Sequence, residues 1–176
     1  VYNIYQGMPY THNVTSIYGH YGLFFKIPMK LVHGDFKAFV VMIAGIGMAA
    51  HICAFLILEL LVRSRSLRIL GALAAAFPVL GMRGGFYWQV WPHRVIFPML
   101  LFLYGAWILK KNRCNIRTVI VGYLLCLAAI LWNTETGLLL TVAWAGLHIS
   151  RFLSGERFRI KKLFLVVLAN VAGMAG

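Results

Sequence analysis

Between Ala38 and Val62 the chain runs for 25 residues in which only His51 and Glu59 are polar or charged. As a helix, at about 1.5 Å per residue, this stretch is about 37 Å long. That is enough to cross a hydrocarbon core of about 30 Å with some tilt. It is the most secure span, and it sets the expected class: an all-α chain forming a polytopic transmembrane bundle.

The apolar runs that follow, 69–82, 95–109, 118–132, 137–150 and 163–176, are shorter. Each would extend only about 20–24 Å as a helix, which is marginal for an independent span. Either the helices continue into flanking residues or some segments are re-entrant. Extension is preferred, because Tyr87, Trp88, Trp91, Trp107 and Trp132 supply aromatic ends of the kind that settle at headgroup level. The expectation is about six short spans at 38–176, preceded by an outer-face and interfacial segment at 1–37. Within that segment Tyr21 to Val32 reads as an amphipathic helix lying along the interface, bent or broken by Pro28. The chain opens Val1-Tyr2-Asn3 and closes inside an apolar run, the pattern expected of a piece of a longer membrane protein.

Seventeen Lys and Arg stand against four Asp and Glu, a formal charge of +13. A charge of that size is one footprint of nucleic-acid binding. Here, however, the cations fall in short clusters between apolar runs, in a chain that is 61% hydrophobic with a mean hydropathy of +0.81. No nucleic-acid partner is expected. The clusters RSRSLR (63–68), KKNRCNIR (110–117) and SRFLSGERFRIKK (150–162) carry three, four and five Lys/Arg. They occupy alternate loops, so six spans put all three on one side, and the positive-inside rule makes that side cytoplasmic. The other side receives residues 1–37, the loop RGGFYWQVWPHR (83–94) and the turn WNTETG (132–137).

Ionisable groups gather on that outer side, where they are costly and often functional. Arg83 and Arg94 bracket the 83–94 loop and are placed to grip a phosphate bidentately; the plainer reading is that they meet lipid headgroups. His93 lies beside Arg94. Glu135 is one of only four acids. It suits a base, a metal ligand or an acceptor for sugar hydroxyls. It equally suits the first turn of a helix capped by Asn133 or Thr134. No basic residue lies between Trp132 and Gly137, so a partner for Glu135 has to come from elsewhere, and the outer loop with Arg83, His93 and Arg94 is the expected source. His20, Tyr21 and Asp35 complete the candidate substrate-binding set, with interface anchoring as the plainer role for Tyr18, His20 and Tyr21.

Inside the first span, Glu59 is placed to pair with Arg63 at i,i+4, and His51 reads as a hydrogen-bonded packing residue. Gly45, Gly47, Ala49 and Ala50 allow close helix packing. Cys53, Cys114 and Cys126 form no metal or disulfide pattern; Cys53 and Cys126 read as small buried hydrophobes. Asn13-Val14-Thr15 fits the glycosylation triplet. There is no Walker loop, GxSxG, HExxH or dinucleotide fingerprint. No metal site is assigned; a divalent metal is the one cofactor the outer-face groups would suit.

The stretch TSIYGHYGLFFKIPMKLVHGD (15–35), followed by a long span, resembles the region after the first outer loop of GT-C-type glycosyltransferases. In these polytopic enzymes a Tyr/Pro-rich outer segment leads into an interfacial helix that ends near a Gly-Asp; here Gly34-Asp35 stands in that place. The resemblance covers the layout of the whole chain, and the local pattern of residues 15–40. It implies transfer of a sugar from a polyprenyl-phosphate carrier on the non-cytoplasmic face. The acid that serves as base in that family lies upstream of this pattern, and no Asp or Glu precedes Asp35 here, so no catalytic residue is assigned.

The function expected is that of a membrane glycosyltransferase segment in a bacterial plasma membrane, its site facing the periplasm or exterior. Its partners would be membrane lipids, a lipid-linked sugar donor, and the rest of the chain or other membrane subunits. The alternative is a transporter or flippase, or a non-catalytic membrane subunit, handling an anionic lipid or solute.

Overall fold

The computed structural model describes residue 6 and residues 20–81, 92–112 and 115–153, the side chains of 76–81, 92–93 and 152–153 excepted. Among the described residues the chain is all-helical: α1 (Tyr21–Phe24), α2 (Lys26–Leu31), α3 (Phe36–Leu61), α4 (Arg65–Gly81), α5 (Pro92–Lys111), α6 (Ile116–Trp132) and α7 (Thr134–Leu153). The run expected at 163–176 lies outside them, as do the glycosylation triplet and Cys114.

Every helix from α3 to α7 begins before its apolar run, and α5 and α7 also continue past its end, into the residues that flank it. α5 adds Pro92-His93-Arg94 before its run and two lysines after it; α7 adds Thr134-Glu135-Thr136 before and Arg151 after. At 17 to 20 residues, α4 to α7 are about 26–30 Å long. By length and composition α3 is the one described helix that clearly suffices to cross a membrane; α6 is a shorter apolar helix.

Local chemistry sets the helix ends. The Asp35 carboxylate accepts from the Lys37 N–H at 3.0 Å and starts α3. A reciprocal capping box starts α6: Asn115 accepts from the Thr118 N–H at 2.9 Å, and the Thr118 hydroxyl accepts from the Asn115 N–H at 3.0 Å, satisfying two otherwise orphaned donors. Between α2 and α3, His33 and Gly34 both take positive φ, and the Gly34 N–H reaches back to the Met29 carbonyl at 2.8 Å. That bond closes one helix before the next begins.

Side-chain contacts define two ends. At one, Trp132 closes α6 against Tyr21, Phe24 and Phe25 and against Phe97 of α5, while Phe25 meets Phe39 near the start of α3. At the other end, Glu59 of α3 pairs with Arg68 of α4, and Arg151 of α7 donates to Asn112 at 2.9 Å, just past α5. Thus α3, α5 and α7 run one way, and α4 and α6 run back. The direction of each helix collects Arg63, Arg65, Arg68, Lys110, Lys111, Arg117 and Arg151 at the second end.

The core is thin. One cluster joins α5, α6 and α7 through Leu101, Ile108, Cys126, Ala129, Leu140 and Trp144. Another seats Phe25, Met29 and Ile43 against Trp132. Cys53 and Cys126 are buried, as expected of small hydrophobes. Outside these clusters the surface is apolar: Val41, Met48, Leu73, Leu124 and Leu139 all face outward. Only 17% of the most apolar window of α3 is buried.

Two local expectations change. Residues 21–31 do not form one helix with a single apolar face. The break falls at Phe25, three residues before Pro28; Pro28 sits in the first turn of α2, where an N–H has no intrahelical acceptor to lose. Phe25 and Met29 point into the bundle while Phe24, Ile27 and Leu31 point out, so this segment is apolar on two sides. Glu59 pairs with Arg68 across the α3–α4 turn rather than with Arg63. The extended backbone at Val62 ends α3, taking Arg63 off the helical i,i+4 position and bringing the first turn of α4 back to the carboxylate. His51 does hydrogen-bond, through Nδ1 to the Gly47 carbonyl at 2.7 Å, on an exposed face.

Glycines bring α6 and α7 into close contact. A Cβ at Gly137 would overlap backbone atoms of Ala129 and Ile130, and one at Gly122 would overlap the buried ring of Trp144. Backbone cannot yield as a side-chain tip can. Gly137→Ala is therefore expected to destabilise the purified protein by about 1–3 kcal/mol. Gly146→Ala, on the same helix with nothing within 4 Å of the added carbon, should be neutral or stabilise by up to about 1 kcal/mol. Thermal melting in detergent compares the two.

Candidate functional site

A single residue, Asn133, separates α6 from α7. Its N–H donates to the Ala129 carbonyl at 2.7 Å, closing α6. Its side-chain oxygen accepts from the Thr136 N–H at 3.1 Å, capping α7. The residue is 1% exposed, and its Nδ2 has no hydrogen-bond partner. With Asn133 fixed on both sides, Trp132 and Glu135 have little choice of direction. Trp132 turns to the aromatic cluster, and Glu135 stands in the first turn of α7, near the positive end of the helix dipole.

The Glu135 carboxylate accepts from Arg94 Nη2 at 2.8 Å. These residues are 41 positions apart and come from different helices, so the partner missing beside Glu135 in sequence is supplied by α5. The pair is lopsided: the Arg94 side chain is 13% exposed and that of Glu135 64%. The cation is held against the bundle, and the carboxylate opens outward. Pro98 has no N–H to donate to the Arg94 carbonyl, which takes that carbonyl out of the regular helical ladder.

Of the other candidates, Tyr21 comes to this end, its ring 6.4 Å from that of Trp132. His20 precedes α1 there and is exposed; its carbonyl accepts from the Leu23 N–H. Asp35 has a structural task as the α3 cap. Arg83 lies outside the described residues, and so does the side chain of His93, on the first turn of α5. No group of three or more His, Cys, Asp or Glu gathers among the described residues to hold a metal ion.

The sequence reading did not single out a buried polar row on α7. Trp144, His148 and Arg151 are all buried; the Trp144 and His148 rings meet edge-to-face at 4.7 Å. Their spacing of four and three residues places them on one helical face, and that periodicity was the available signal.

Comparison of the chain with protein-family models, curated proteins and solved structures finds no match.

Asn133→Ala removes the α7 cap, an effect expected to cost about 1 kcal/mol. Asn133→Asp keeps the acceptor and should retain most of that stability relative to Ala. Chemical or thermal denaturation checks the order wild type, Asp, Ala; equal stability of Ala and wild type would remove Asn133 as the joint.

Proposed function

We propose that this chain is a multi-pass segment of an integral membrane protein, and that the Arg94–Glu135 end handles a lipid-linked, phosphate-bearing substrate on the non-cytoplasmic side. The observation that carries the reading is the Arg94–Glu135 pair itself, at the end of the bundle opposite the cationic cluster and next to Tyr21 and Trp132. The outward-facing apolar surface of α3 supports embedding in lipid, because contiguous apolar surface of this kind needs a non-aqueous neighbour.

The reaction proposed is sugar transfer from a polyprenyl-phosphate donor, in keeping with the GT-C-like pattern at 15–35. Arg94 would offer its planar guanidinium to the phosphate as charge builds on the leaving group. Glu135 would hold that guanidinium on one side and accept from a sugar hydroxyl on its exposed side. The base for the acceptor is not assigned to any residue here. The runner-up, transport or flipping of the same class of anionic lipid, would use the same pair without chemistry.

Arg94→Lys is expected to weaken binding of a polyprenyl phosphate by about tenfold or more, since an ammonium cannot reproduce a two-pronged contact. Glu135→Gln keeps size and an acceptor oxygen while deleting the charge. It should abolish sugar transfer in proteoliposomes and leave the melting temperature nearly unchanged, since an ion pair with one exposed partner contributes about 0–1 kcal/mol. Full transfer by Glu135→Gln would reduce Glu135 to a helix-terminus residue, and full transfer by Arg83→Ala/Arg94→Ala would eliminate phosphate recognition by these arginines.

A further inference from the structure

We propose that the opposite, cationic end of the bundle carries a second site, for an anionic phospholipid. It goes beyond the outer-end reading and rests only on that reading's placement of the chain in a membrane. Two cavities meet there. One, of about 630 Å³, is lined by Glu59, Arg63, Arg68 and Lys110. The other, of about 690 Å³, opens among α3, α4, α5 and α7 and is walled by small apolar positions including Ala54, Gly71, Gly105, Ala106 and Gly146. Leu61 and Leu109 line both. The polar cavity therefore adjoins the apolar one, with these two leucines as their common boundary.

The two halves specify the occupant together. The polar cavity holds three cations and one carboxylate, a surplus of two positive charges. Arg68 donates through Nη1 to Glu59, while its Nε is buried with no hydrogen-bond partner. A free phosphate would answer the cations and leave the apolar groove unfilled. A plain hydrocarbon would fill the groove and leave the cations unanswered. A phosphodiester headgroup carrying an acyl chain satisfies both, with Leu61 and Leu109 at the junction. A zwitterionic headgroup would bring its own cation against the surplus positive charge, so the site selects a net-negative lipid. Cationic recesses between membrane helices on the positively charged side are suited to such headgroups. The volumes lie in the range of about 300–1,000 Å³ typical of ligand sites.

The groove depends on its glycines. A side chain added at Gly146 would project into open space, with nothing within 4 Å of its Cβ. A larger residue there starts from unobstructed space on the acyl-chain path and alters no charge.

The test uses the full chain in detergent micelles, with native mass spectrometry and thermal melting. The probes are dioleoylphosphatidylglycerol, dioleoylphosphatidylcholine and inorganic phosphate. Phosphatidylglycerol should be retained and should raise the melting temperature, and the other two should not. Arg63→Gln/Lys110→Gln should weaken phosphatidylglycerol retention by about tenfold or more; Arg68 is left in place so that Glu59 keeps its partner. Gly146→Leu should weaken it comparably by blocking the groove. Equal retention of phosphatidylcholine, equal protection by inorganic phosphate, or wild-type retention by both variants would each overturn the proposal. Neither variant touches Arg94 or Glu135, so sugar transfer or lipid transport at the other end should persist. Loss at one end without the other separates the two proposals.

Discussion

The arrangement of this chain turns on the one-residue joint between α6 and α7. Helices packed this closely need a connection that satisfies the last carbonyl acceptors of one helix and the first N–H donors of the next without a loop. Asn133 does both, with its backbone N–H on Ala129 and its side chain on Thr136. Gly137 lets the second helix leave along the backbone of the first. From this joint Trp132 reaches α1, α2 and α5, and Glu135 reaches Arg94. The aromatic cluster and the ion pair are thus consequences of the same turn.

A second constraint is what the bundle leaves uncovered. A helix in the core of a water-soluble protein buries its apolar stripe, whereas α3 presents apolar residues outward along most of its length. The Glu59–Arg68 pair offsets the one acid in α3 beside the cationic end. On the proposed membrane reading the two polar ends do different work. One presents a neutralised cation–carboxylate pair at the end that also carries the Trp132 aromatic cluster; the other presents surplus positive charge beside an apolar groove. Helices satisfy their own backbone hydrogen bonds, which makes such an arrangement tenable in hydrocarbon.

Much of the fold was legible in sequence because its signals are local. The 38–62 run gave α3 to within two residues at its start and one at its end. The preference for helices longer than their apolar runs followed from the flanking residues, and α5 and α7 show that extension. The outer loop was named as the source of a partner for Glu135, but which of Arg83, His93 and Arg94 would reach it depended on packing of α5 against α7. The Glu59–Arg63 expectation failed because i,i+4 reasoning assumes that the helix continues, and it ends at Leu61. The Gly34-Asp35 step, which carried the family resemblance, is a helix-to-helix joint in the fold, with Gly34 in a left-handed turn and Asp35 as a cap. The junction of the two cavities was not legible, since it arises from residues brought together only by tertiary packing.

The central claim is that the Arg94–Glu135 end and the cationic end lie on opposite sides of a membrane. Single cysteines at 135 and at 65, introduced in turn into a chain lacking Cys53, Cys114 and Cys126, test it most directly. With the chain reconstituted in intact cells, a membrane-impermeant thiol reagent added from outside should label position 135 and leave position 65 unlabelled until the membrane is permeabilised. Labelling of both positions in intact cells, or of 65 alone, would contradict the account.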